Sequence, residues 1–101
     1  MNRFVIAGLL VLGLLQGCVG SEVKQALYDA ELAYQAVSKD PQVFADAPKD
    51  VRRAEESLER AKRFAGYWGG AEDARHYAYL SLRYSQIASQ HGEQLQYERR
   101  A

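Results

Sequence analysis

The spacing of apolar residues divides the chain into one short apolar run and a longer region of amphipathic segments. Residues 4–15 are almost all apolar, whereas charged residues recur throughout the remainder. In that remainder the apolar positions follow steps of three and four, which is the spacing of one face of an α-helix. Runs of alternating apolar and polar β-branched residues are missing, and the sequence contains no Thr. The pattern therefore predicts an all-α protein.

The first predicted helix covers residues 21–39. Ser21 is a suitable N-cap for it. Asp40 must lie outside the helix, because the residue before a proline avoids the helical region. The apolar stripe of this helix consists of Val23, Ala26, Leu27, Ala30, Ala33, Tyr34 and Val37.

The second predicted helix covers residues 47–66 and follows a connector at residues 42–45. Val43 and Phe44 of the connector are expected to fold back over the helix ends. Asp46 is the candidate N-cap, and a proline in the first turn is well placed because no N–H is needed there. A heptad-like, coiled-coil seam is formed by Val51, Ala54, Leu58, Ala61, Ala65 and Trp68. Pairs of opposite charge four residues apart are Arg52–Glu56, Glu56–Arg60 and Glu59–Arg63.

The third predicted helix covers residues 71–99 and carries two neighbouring stripes. One has small side chains, namely Ala71, Ala74, Ala78, Ser81, Ser85 and Ala88. The other has large side chains, namely Tyr77, Leu80, Tyr84 and Ile87. The glycines at 69 and 70 can reverse the chain, so the second and third helices should form an antiparallel hairpin. The expected fold is a short antiparallel bundle of three helices, with the first helix packed across the hairpin.

The first 17 residues have the features of a secretory signal peptide. A positive charge at Arg3 precedes the apolar run, and the small residue Gly17 stands where cleavage is expected. The apolar run is shorter than the about 20 residues that a membrane span needs. The segment from Leu15 to Cys18 resembles the lipobox of bacterial lipoproteins, from which only Gln16 departs. An ordinary secreted protein with an incidental cysteine, or an uncleaved anchor, are the alternative interpretations.

The lipobox resemblance implies cleavage before Cys18 and a covalent diacylglycerol and N-acyl chain, such as palmitate, on that residue. Residues 18–22 would then be the lipidated Cys and its tether, and residues 23–101 the helical domain. Such an anchor holds a protein stably at a membrane that it does not cross. Because the residue after the cysteine is Val19 and not Asp, the outer membrane facing the periplasm is favoured.

Composition excludes several classes of function. The chain has 13 basic and 13 acidic residues, and this balance argues against nucleic-acid binding. A single Cys excludes an intrachain disulfide and every multi-Cys metal site. His76 and His91 are separated by about 22 Å on one helix and cannot share a metal. No nucleophile motif is present, so we expect no catalysis, no metal, no small-molecule substrate and no cofactor besides the acyl chains.

Candidate partner contacts are Trp68, Tyr79 and Leu82. Tyr67 and Trp68 are expected to cover the end of the bundle, with a partner contact at Trp68 as the alternative, because Trp is a common interface anchor. Tyr79 and Leu82 lie on a third face of the last helix. This face can serve a homo-oligomer or an envelope protein partner.

The stretch Ala47-Pro48-x-x-Val51-x-x-Ala54-x-x-x-Leu58-x-x-Ala61 is similar to a motif of a domain-of-unknown-function family. Members of that family are small alanine-rich helical bacterial lipoproteins, and some carry the domain before an OmpA-like peptidoglycan-binding domain. The resemblance extends over about residues 23–95. No OmpA-like domain is expected within these 101 residues, so peptidoglycan binding is not implied. The family supplies no catalytic residues.

Two functions are compatible with the sequence. The first is an envelope lipoprotein with a structural or protein-interaction role through helix packing. The alternative is a pilotin-like assembly factor that binds a helix of an outer-membrane channel subunit.

Overall fold

The computed structural model describes the backbone of residues 2–100 and the side chains of residues 20–100. The elements are α1 (Asn2–Ser38), α2 (Pro41–Asp46), α3 (Pro48–Ala65) and α4 (Ala71–Arg100). No strand occurs among these residues, and the long helices pack side by side. The prediction of an all-α bundle is therefore confirmed.

The three long helices run up, down and up. A short turn joins α3 to α4, which makes the two helices an antiparallel hairpin. Arg75 pairs with Glu22, and Arg99 pairs with Asp46, and both pairs join residues 53 apart in the sequence. This constant offset means that α1, continued by α2, runs parallel to α4.

Small side chains lie where the helices meet. Ala54 and Ala61 of α3 are fully buried, and the buried positions of α4 are Ala74, Ala78, Ser81, Ser85, Ala88 and Gly92. This confirms the predicted small stripe of the last helix from Ala74 onward and extends it to Gly92. Side chains of this size let the helix axes approach closely, so van der Waals contact replaces a large aliphatic core.

Two clusters of apolar residues make up the core. One contains Ala30, Leu58, Ala61 and Ala78. The other contains Val37, Val43, Ala47, Val51 and Ala88. Tyr34 packs against both clusters and so connects them. Burial, followed by the nearby charge of Glu55, raises the pKa of the Tyr34 hydroxyl.

The connector that was expected at residues 42–45 is a helix, so the structure has four helices and not three. The side chain of Asp40 caps α2 by accepting hydrogen bonds from the backbone N–H groups of Gln42 (3.0 Å) and Val43 (3.3 Å). Pro41 occupies the first turn, where its fixed φ favours the helix. Asp–Pro therefore ends α1 and starts α2 at the same place.

Three local predictions about helix ends and the seam are wrong. Helix α1 begins at Asn2, so Ser21 lies inside it and is not its N-cap. Ala47 and not Asp46 is the N-cap of α3, and its side chain makes no capping bond. The seam of α3 stops at Ala61, and its predicted continuation, Ala65 and Trp68, is exposed. The reason is that α3 ends at residue 65 and the chain turns away.

Three basic residues of α3 contact neighbouring helices, although Arg53 also lies 3.9 Å from Asp50 of its own helix. Lys62 lies 2.9 Å from the carboxylate of Glu31 on α1. Arg60 lies over the ring of Tyr77 at 5.7 Å, and Arg53 lies over Tyr84 at 5.9 Å. None of the three pairs predicted four residues apart within α3 is at ion-pair distance in this part of the chain. Long basic side chains reach the neighbouring helices, and this competes with pairing along their own.

Candidate functional site

The turn between α3 and α4 is the most constrained loop of the described chain. Gly66 ends α3, and its backbone N–H is bonded to carbonyl oxygens of the last helical turn. Gly69 has φ of 80°, which side chains rarely adopt. A Cβ atom at Gly70 would overlap the carbonyl oxygen of Phe64. The turn therefore depends on glycine at two successive positions.

An aromatic cluster fills the space beside this turn. Phe64 stacks on Tyr77 with the ring centroids 5.4 Å apart and the planes within 3°. Tyr67 meets Phe64 edge-on at 6.1 Å and is 63% exposed. Trp68 is fully exposed, at 103% of its reference area. The expectation that Trp68 covers the bundle end is therefore wrong, because the neighbouring rings already occupy that position.

A shallow apolar groove of about 400 Å³ lies beneath the turn. Its walls include Gly20, Val23 and Leu27 of α1, together with Tyr67, Gly69 and Ala71. The turn is thus level with Gly20, the first residue of α1 whose side chain is described. The pair between Glu22 and Arg75, at 2.8 Å, joins α1 to α4 at the same level.

The predicted contact face on α4 is partly open. Tyr79 is 58% exposed, and Leu82 is half-buried. Tyr79 lies eight residues into α4, about 12 Å along the helix axis from its start. The structure therefore does not bring Tyr79 and Leu82 together with Trp68, and they form a separate surface.

Several exposed apolar side chains were missed or misplaced by the sequence analysis, among them Tyr97 and Ile87 near the end of α4. Tyr28 and Leu32 are about half exposed and lie four residues apart on α1, outside its predicted stripe. Their spacing of four residues could have indicated a second apolar surface on α1. Phe44 was expected to fold back but is 52% exposed, whereas Val43 is buried against Gly92. Only one face of the short helix α2 packs on α4. Val43 lies on that face, and the adjacent Phe44 points away from it.

Two carboxylates with a lowered pKa lie in ion pairs between helices. Hydrogen bonding to Lys62 lowers the pKa of Glu31. Hydrogen bonds from Gln42 and then Arg99 lower the pKa of Asp46. His76 and His91 are exposed. In residues 20–100, no three His, Cys, Asp or Glu side chains are grouped so that they could hold a metal ion.

The lipidation residue Cys18 and the cleavage residue Gly17 lie outside the residues whose side chains are described. Within the described part of the chain, no helix combines the length and apolar character that crossing a membrane requires.

Residues 25–101 match one family, a domain of unknown function (DUF4398). The match includes all of α2, α3 and α4 and the last 14 residues of α1. It confirms the family resemblance expected from the alanine–proline motif. No curated protein and no solved structure matches the chain.

Proposed function

The chain belongs to the DUF4398 family, whose function is unknown, and we propose that it is a bacterial envelope lipoprotein. It acts by helix packing, in a structural or protein-interaction role, without catalysis. The observation that carries this proposal is the order of Arg3, the apolar run and Leu15-Gln16-Gly17-Cys18.

The chemistry of the anchor follows from that order. The thiol of Cys18 displaces the phosphate head group of a phospholipid, which forms a thioether with its diacylglycerol and releases the head group. Water then hydrolyses the peptide bond after Gly17, and the new amine takes an acyl chain from a second phospholipid, which leaves as the lysophospholipid. Each buried methylene contributes about 0.8 kcal/mol, so several chains hold the protein stably at the surface. No cofactor other than these chains is proposed. With Val19 after the cysteine, the outer membrane facing the periplasm is the proposed location.

The surface of the bundle supports an interaction role more than an enzymatic one. Its core consists mainly of alanine, and the grooves found among the described residues are shallow and open. Tyr79 is the more exposed member of the α4 contact face, and Leu82 lies beside it one helical turn further on. A flat aromatic and aliphatic pair is suited to another helix, from a second copy or from an envelope protein, and not to a small substrate.

Metabolic labelling with a palmitate analogue tests the anchor. Wild type should carry the label, and Cys18→Ser should lose it and accumulate as the uncleaved precursor. The matched control is Ser21→Cys in the Cys18→Ser background, which restores a thiol outside the lipobox and should stay unlabelled. Label retained in Cys18→Ser, or absent from wild type, would refute the lipoprotein assignment.

Crosslinking in intact envelopes tests the interaction role. Tyr79→Ser with Leu82→Ser should weaken crosslinks, whereas Tyr28→Ser with Leu32→Ser on α1 serves as the matched apolar control. Crosslinked products that contain only this chain, at multiples of its mass, would indicate self-association. A single stoichiometric channel subunit would indicate the pilotin-like alternative. Crosslinks unchanged by the α4 double variant would exclude this face.

A further inference from the structure

We propose that the turn between α3 and α4 is a second point of membrane contact, at which Trp68 and Tyr67 enter the phospholipid interface beside the acylated residue. The inference rests on the proposed anchoring at Cys18. It adds a defined orientation of the bundle on the membrane, which the anchor alone does not provide.

The fold places the turn level with the anchor. The groove beneath the turn is shared by Gly20 of α1 and Gly69 of the turn. Cys18 precedes Gly20 by two residues, which corresponds to about 3 Å of helix rise. Acyl chains attached to Cys18 begin in the membrane, so a turn at this height meets the same surface.

The side chains at this level are the ones that membrane interfaces favour. Trp and Tyr are enriched there because one part of each ring system is apolar and another can form hydrogen bonds with water and headgroups. Trp68 has no cover within the described chain, and Tyr67 is 63% exposed beside it. Leu27 and Val23 continue the apolar surface into the groove.

The turn holds these rings in a fixed position. The positive φ of Gly69 and the contact of Gly70 with the end of α3 define the backbone path around Trp68. Tyr67 packs edge-on against Phe64, which is itself stacked on Tyr77. A preorganised turn loses little conformational entropy when it binds a surface.

Charge does not direct this contact. The charged residues around the turn nearly balance, with four basic residues (Lys24, Arg60, Arg63 and Arg75) against three acidic ones (Glu22, Glu72 and Asp73). The charge of Lys62 is neutralised by Glu31. Binding is therefore expected to depend on apolar burial and hardly at all on anionic lipid or salt.

The far end of the bundle provides an internal comparison. Phe44 is also an exposed aromatic residue, but it lies on α2, beyond the end of α1. From Gly20 to Ser38 the helix rises about 27 Å. An upright bundle thus keeps Phe44 in water while Trp68 enters the interface.

Tryptophan fluorescence tests the proposal, because Trp68 is the only Trp of the chain. The acylated protein is extracted from envelopes and reconstituted into phosphatidylcholine–phosphatidylglycerol vesicles whose acyl chains carry bromine. Trp68 emission should shift to the blue, be quenched by the bromines and become several-fold less accessible to aqueous acrylamide. These effects should persist in high salt.

The control is Trp68→Phe combined with Phe44→Trp, with folding checked by circular dichroism. Emission from the tryptophan at position 44 should not be quenched by the bromines and should still be quenched by acrylamide. Trp68 emission that matches this control overturns the membrane contact, and so does protection from acrylamide without bromine quenching, which indicates a protein partner or a second copy. Loss of the effects in high salt also overturns it.

The acyl mass on Cys18 is measured in the same preparations and separates the two proposals. An acylated chain with Trp68 in water refutes only the second contact. A chain without acyl mass refutes the lipoprotein assignment and the second contact with it.

Discussion

The hydroxyl of Ser81 donates a 2.7 Å hydrogen bond to the carbonyl oxygen of Ala54, and both residues are fully buried between α3 and α4. This bond crosses the interface between two helices that pack through small side chains. One turn along α4, the hydroxyl of Ser85 is equally buried but has no hydrogen-bond partner. The two serines thus have opposite energetic roles.

The first prediction compares these two serines. Ser81→Ala should lower the free energy of unfolding by about 1 kcal/mol, because it removes a buried hydrogen bond. Ser85→Ala should leave stability unchanged or raise it slightly, because an unpaired hydroxyl no longer has to be desolvated. Urea denaturation of the mature chain measures both. Equal losses in the two variants would contradict this assignment.

The second prediction concerns the alanines of the seam. Ala61→Leu and Ala78→Leu each add a branched side chain where no space exists, and each should destabilise the bundle by about 1–3 kcal/mol. Glu56→Lys on the solvent face of α3 should change stability by less than about 0.5 kcal/mol. Thermal melts monitored by circular dichroism decide the matter. If the alanine substitutions left the stability unchanged and Glu56→Lys lowered it, the buried and exposed faces of α3 would be the reverse of those described.

The third prediction is a pH dependence from the pair between Glu31 and Lys62. The folded state lowers the pKa of Glu31, so the pair stabilises the fold above the carboxyl's ordinary pKa. That contribution is lost as the pH falls through the lower, folded pKa. Because both side chains are partly exposed, the loss should be only about 0.5 kcal/mol. Denaturant midpoints of wild type and Glu31→Gln, measured from pH 7 downward, isolate the contribution of the pair. A Glu31→Gln variant that keeps the full acid sensitivity would exclude the pair as its source.

The fourth prediction concerns the turn glycines. Gly69→Ala should destabilise the protein by about 1–2 kcal/mol, because alanine resists a positive φ. Gly70→Ala should be worse, since its Cβ meets the backbone of Phe64 and the turn must move. Gly66 has helical backbone angles, and a Cβ there would make only an ordinary contact with the carbonyl oxygen of Arg63 at 3.5 Å, so Gly66→Ala should be neutral or mildly stabilising. Melting temperatures of the three variants test this order, which a destabilising Gly66→Ala would break.

Apolar spacing was sufficient to predict the long helices and their contact faces. Pro48 and Ala71 mark helix starts by composition alone, and the structure begins α3 and α4 at those residues. Ala54 and Ala61 recur at helical spacing on α3, as Ala74 and Ala78 do on α4. Small residues at such positions indicate that the helices pack closely there. Local rules and tertiary packing agree at these positions.

Other features depend on which of several local structures or side-chain contacts is the more stable, and the apolar pattern does not show this. Residues 41–46 are too short for a periodic pattern, so their helix could be recognised only from the Asp40 cap and Pro41 together. Trp68 fits the heptad by counting, but the helix ends before reaching it. The partners of Arg53 and Arg60 depended on which aromatic rings of α4 lay within reach.

An odd number of long helices places the two ends of the folded domain on opposite sides. Helix α4 starts at the level of the α3–α4 turn, and its 30 residues extend about 45 Å from there. The ion pair between Asp46 and Arg99 fastens its last turns to α2. If the turn rests on a bilayer, the domain is a spacer of fixed height that presents Arg100 well above the headgroups.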